Sequence, residues 1–112
     1  MNIDKLPSEH AEQVTFVNWF RLQFPKVLIF AIPNGGLRNA VVAKKLKLEG
    51  VIKGVPDLYI PSKKIWIEMK RQKGGKLSND QKRVIKYLED NGDRVIIGYG
   101  FKDAKEQILK LM

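Results

Sequence analysis

The chain has 112 residues, a formal net charge of +9 and a pI near 9.9, with no cysteine and one histidine. That length suits one domain with a real core and leaves no room for a second, and the basic balance favours a polyanionic partner. Disulfides, zinc-thiolate centres, cysteine nucleophiles and catalysis by a histidine pair are excluded, and no uncharged run approaches the roughly 20 residues of a membrane span.

The start Met1-Asn2-Ile3-Asp4-Lys5 lacks a secretory leader's apolar run. Residues 1–7 are expected to be flexible and residues 8–112 to form a single domain. Ser8 is the expected N-cap of a helix to about residue 24, stopped by Pro25. Glu12 shares that helix's apolar stripe with Phe16, Trp19 and Phe20. An acid on an inward face is either a satisfied buried carboxylate or an active-site group. Val27-Leu28-Ile29-Phe30-Ala31-Ile32 is a continuous apolar run, the pattern of a strand covered on both faces.

Asn34-Gly35-Gly36 reads as a turn. It either lets backbone approach a phosphate chain closely or only reverses the chain. Residues 37 to about 48 read as a helix carrying Arg38, Lys44, Lys45 and Lys47. Such a charge run is a solvated face or, placed just before Asp57, one wall of a nucleic-acid groove. Leu58-Tyr59-Ile60 and Ile65-Trp66-Ile67-Glu68-Met69-Lys70 are two strands joined by a turn at Pro61-Ser62-Lys63.

Arg71 through Lys76, including Lys73 and the pair Gly74-Gly75, form a basic loop suited to phosphate contacts that position a duplex without reading it. Ser78 then caps a helix to about residue 91, and Ser78-Asn79-Asp80-Gln81 has the form of a capping box. Gln81 either serves that cap or, in line with Leu77, Val84 and Leu88, faces the sheet. A turn at Asn91-Gly92-Asp93, a strand Arg94–Tyr99 and a helix over about 102–111 complete the chain. The order α-β-α-β-β-α-β-α implies an α/β layered architecture, a mixed β-sheet flanked by helices.

The chemistry concentrates between Asp57 and Lys70. Side chains alternate along a strand, so Glu68 and Lys70 share one face and Ile65, Ile67 and Met69 the other. A short hairpin brings Asp57 close to Glu68. Two carboxylates without a cation repel, and one would have its pKa raised; a hard divalent ion removes the conflict. Magnesium suits the site, with Asp57, Glu68 and the Met69 backbone carbonyl as oxygen ligands and Lys70 as a point charge for the nucleophile or the developing negative charge. The competing reading is a turn aspartate beside a same-face ion pair of little energetic weight.

Pro56-Asp57 followed by Glu68-Met69-Lys70 resembles the active-site motif of the PD-(D/E)xK nuclease superfamily. The wider set is more specific. Pro33-Asn34-Gly35-Gly36 with Arg38, Glu49-Gly50-Val51, Lys53-Gly54-Val55-Pro56-Asp57-Leu58, Glu68-Met69-Lys70-Arg71, Gly74-Gly75-Lys76-Leu77-Ser78 and Gln81 together resemble the VRR-NUC (virus-type replication-repair nuclease) family. The resemblance runs from about Glu12 nearly to the end of the chain. It implies a restriction-endonuclease-like fold related to Holliday junction resolvases. The implied activity is a magnesium- or manganese-dependent, structure-selective endonuclease acting on Holliday junctions or other branched DNA as a homodimer.

By the same resemblance Asp57 and Glu68 are the metal-binding acids and Lys70 the catalytic lysine. Gln81 is the glutamine of the following helix and Glu12 the acid of the first helix, with Glu9, one turn earlier, able to fill that role. The DNA-contacting set is Asn34, Gly35, Arg38, Lys44, Lys45, Lys53, Arg71, Lys73 and Lys76. The expected setting is a bacterial or phage-infected host cytosol, with no membrane and no obligate protein partner. Two other classes stand beside this one: a non-cleaving nucleic-acid-binding module, and a small interaction protein. A third, a nuclease acting on flaps or forks, differs only in substrate.

Overall fold

Local signals define most element ends in the computed structural model, which describes residues 5–33 and 39–112. In chain order these residues form α1 (Glu9–Gln23), β1 (Phe30–Ala31), α2 (Ala40–Leu48), β2 (Leu58–Ile60), a 3-10 turn at Pro61–Lys63, β3 (Ile65–Lys70), α3 (Asn79–Asp90), β4 (Arg94–Tyr99) and α4 (Phe101–Leu109). The Ser8 hydroxyl accepts from the Ala11 amide at 3.1 Å, closing the first turn of α1. The Asn39 side chain does the same for α2, accepting from Val41 at 2.8 Å and Val42 at 3.3 Å. α3 starts with a complete capping box between Ser78 and Gln81.

The four strands make one mixed sheet in the order β1-β2-β3-β4. β2 pairs antiparallel with both β1 and β3, and β4 lies parallel to β3 after the α3 crossover. Ile65, Ile67 and Met69 point to the face covered by α1 and α4. There they join Phe16, Phe20, Leu58, Ile60, Ile96, Ala104 and Ile108 in the core. Phe16 and Phe20 are fully buried, and each contributes about 1.5–3 kcal/mol by leaving water. The mixed sheet with flanking helices is the α/β architecture expected from the element order.

Two elements depart from expectation. The apolar run at 27–32 contributes only Phe30 and Ala31 to the sheet, at its edge, and both are exposed. An edge strand has one neighbour, and its partner β2 has three residues, so pairing ends early. Ile29 is buried while Leu28 stands out to solvent, which the run of apolar residues did not distinguish. α2 begins at Ala40 rather than 37 and buries none of its residues, so it stands off the core. Among the described residues, no helix is long and apolar enough to cross a membrane.

Candidate active site

The end of β3 has two neighbours: the turn leading into β2 and the start of α3. Register pairs Leu58 with Ile67, so β2 has ended where the Met69 amide needs an acceptor. Asp57 supplies it, its Oδ2 accepting from the Met69 N–H at 2.8 Å. Asp57 is held in turn by its own carbonyl, which accepts from the Ile32 amide at 2.8 Å. The hairpin therefore does bring Asp57 beside Glu68.

Glu68 and Lys70 point away from the Ile67–Met69 side yet are still buried, at 2 % and 7 % exposure. Gln81 joins them. Its Nε2 donates to Glu68 Oε2 at 3.1 Å, and its Oε1 accepts from Lys70 Nζ at 3.0 Å and from the Ser78 amide at 2.9 Å. The two readings of Gln81 are thus both met by one amide group, which caps α3 and bridges the acid and the lysine. Lys70 Nζ lies 3.8 Å from Glu68 Oε2, an ion pair rather than a hydrogen bond.

A third carboxylate reaches this group from α1. Oxygens of Glu9, Asp57 and Glu68 all lie within 4.8 Å of one another. Glu12 is not in the cluster. It is buried one turn further along, where Oε2 accepts from Gln72 Nε2 at 2.8 Å and Oε1 from the Phe101 amide at 3.1 Å. Its carboxylate caps the first turn of α4, where Gly100 offers no side chain. This corrects the assignment of Glu12 to the carboxylate cluster: the first-helix acid in that position is Glu9. Gln72 and its tie to Glu12 carry no signal in the sequence, because the partners are far apart along the chain.

Electrostatics mark the cluster as under-neutralised. Burial pushes the Glu68 carboxyl up to about 8, the Asp57 charge and a hydrogen bond shared with Asp57 add to this, Lys70 opposes it, and Glu9 adds a smaller push. Burial also raises Asp57, against the Met69 amide bond, the Glu68 hydrogen bond and Lys70. Glu9 is raised too, first by the desolvation its carboxyl meets against the neighbouring elements although the residue as a whole is exposed. Lys70, helped at Glu9 by Arg71, thus does not balance three acids, and an oxygen-only donor set with unmet charge is the kind a hard divalent cation takes.

Backbone packing fixes these positions. Gly54, at φ +94°, lies against the first turn of α3, where a Cβ would come within 2.5 Å of the Asp80 carbonyl carbon and oxygen. That contact seats Gln81 relative to Asp57, and only glycine combines the φ with the approach. Gly75 packs on Lys70, a Cβ there coming within 3.0 Å of the lysine Cβ.

Arg71, Lys73 and Lys76 are exposed around this loop, and Arg71 donates to the Gly74 carbonyl at 3.3 Å. Lys44 and Lys45 are exposed on α2 and Lys53 beyond it. Asn34, Gly35 and Arg38 lie outside the described residues.

Residues 2–102 match the VRR-NUC domain family. A solved VRR-NUC domain protein superposes with a TM-score of 0.81, covering 96% of this chain and 90% of that one at 24% identity, a likeness of fold. No curated protein matches the chain. With the family match spanning most of its length, the chain belongs to the VRR-NUC family, a nuclease-like family.

Proposed function

We propose that the protein is a divalent-metal-dependent deoxyribonuclease that hydrolyses phosphodiester bonds in branched DNA, four-way junctions included. The observation that carries the reading is the cluster of Glu9, Asp57 and Glu68 with oxygens within 4.8 Å, next to the buried Lys70. In an uncatalysed binding module, three acids inside a basic protein would only oppose phosphate.

Asp57, Glu68 and Glu9 would hold a magnesium or manganese ion, with the Met69 carbonyl as a further oxygen. When bound, such an ion supplies a water of lowered pKa and a polarised phosphoryl oxygen. The chain's own residues do the rest. Lys70 spends one of its donors on Gln81 and keeps others for the attacked phosphate, whose developing negative charge the ammonium neutralises. Gln81 orients both Lys70 and Glu68 through a single amide. Arg71, Lys73, Lys76, Lys44, Lys45 and Lys53 hold the DNA backbone through phosphate contacts.

A homodimer belongs to the same reading. A four-way junction is close to two-fold symmetric, and paired incisions need two centres on opposite strands. Sedimentation in the presence of junction DNA checks this, and a species that stays monomeric refutes it.

The direct test is cleavage of labelled junction, fork, flap and linear duplex with magnesium or manganese, beside a chelator control and Lys70→Ala. Metal-dependent cutting of branched DNA, reduced at least about a hundredfold in Lys70→Ala, is the expected result. Binding without cutting under either metal overturns it.

A further inference from the structure

A cleft of about 940 Å³ lies between α2, the segment after it and the first half of α3. Its floor is apolar, made by Ala43, Val51, Ile52 and Val84. Its rim is cationic, made by Lys44, Lys47, Lys53 and Arg83. Ile52 is 62 % exposed and α2 buries nothing, so among the described residues the protein does not cover this floor itself. Among those same residues, the three lysines pair with no carboxylate, and the acid in the lining, Asp80, is bonded to Arg83.

We propose that this cleft binds the unpaired strand of a branched DNA and leads it to the cutting site. The inference rests on the nuclease reading and singles out, among its branched substrates, forks and flaps as those that this cleft grips in addition. Duplex DNA meets a protein mainly through phosphates and groove edges, and an apolar floor adds little to either. An unpaired strand offers base and sugar faces to an apolar surface while its phosphates run along the cations.

The position fits the path. Asp80 lines the cleft, and the next residue, Gln81, bonds both Glu68 and Lys70. Gly54 holds the two regions together through its contact with the Asp80–Gln81 peptide. A strand lying in the cleft therefore runs along the first turn of α3, the turn that carries Gln81.

The test is fluorescence anisotropy in chelator, with a labelled fork and a labelled duplex of equal length. The proteins are wild type, Ile52→Asp and the double variant Lys44→Ala/Lys47→Ala, each checked for an unchanged fold by circular dichroism. The wild type is expected to bind the fork more tightly than the duplex. Ile52→Asp is expected to weaken fork binding about tenfold and so erase that excess. The double variant should lower the salt slope of fork binding by about 1.4, at about 0.7 per phosphate contact on a single strand.

Equal fork and duplex affinity in the wild type overturns the proposal. So does a loss in the variants that is the same for both DNAs, or competition by polyglutamate as effective as by oligothymidylate. Cleavage with magnesium is scored separately. A wild type that prefers forks through the cleft but cuts nothing refutes the nuclease reading alone, and one that cuts forks while the variants bind them undiminished refutes the cleft alone.

Discussion

Replacing Glu68 by glutamine removes a buried carboxyl that must ionise as pH rises when no metal is bound, and keeps an acceptor for Gln81 and a donor toward Asp57. A carboxyl raised from 4.5 to about 8 on folding holds its proton more tightly in the folded state. Its stabilising contribution is therefore fully present below 4.5 and is lost as pH rises to about 8. The full separation corresponds to about 5 kcal/mol at about 1.4 kcal/mol per pH unit. Of this, about 3 kcal/mol falls between about pH 5.5 and about pH 8.5. At about 4–8 °C per kcal/mol, the wild type should lose about 12–24 °C in Tm over that range relative to Glu68→Gln.

Thermal melts of both proteins in chelator, followed by circular dichroism, measure the gap. Magnesium should close it at the alkaline end by stabilising the wild type, since a ligand that binds only the folded state raises its stability, while the variant gains little. Melting temperatures that run parallel with pH would show that Glu68 is not a strained, metal-seeking acid.

The two first-helix acids should separate cleanly. Glu12→Ala leaves the Phe101 amide and Gln72 without their partner and should cost about 1–3 kcal/mol in a denaturant titration, whereas Glu9→Ala should change stability by less than about 0.5 kcal/mol yet weaken magnesium binding by calorimetry. Gln81→Ala should lose about 1 kcal/mol with the cap and lower cleavage more than tenfold, and a variant that cuts at the wild-type rate would reduce Gln81 to a cap. Gly54→Ala forces the Asp80–Gln81 turn away from Asp57 and should lower both Tm and kcat, with loss of Tm alone refuting its positioning role.

Much of this molecule was legible in the sequence because the deciding interactions are local. Ser8 and Ser78 cap helices through bonds that span three residues, and the β2–β3 hairpin needs only a short turn to set Asp57 opposite Glu68. Strand alternation placed Glu68 and Lys70 on one face, and the capping box placed Gln81 at a helix start near them.

Tertiary structure decided the rest. Glu9 and Glu12 are three residues apart, about 60° and 4.5 Å along a helix, so either could face the sheet end and only the docking of α1 against β3 and α4 selects Glu9. The apolar run at 27–32 reads as a buried strand by composition, yet the brevity of β2 and the edge position leave two residues paired and exposed. The cleft beside α2 depends on how far that helix stands from α3. Such choices rest on the relative placement of elements distant in the chain, on which local propensity and periodicity carry no information.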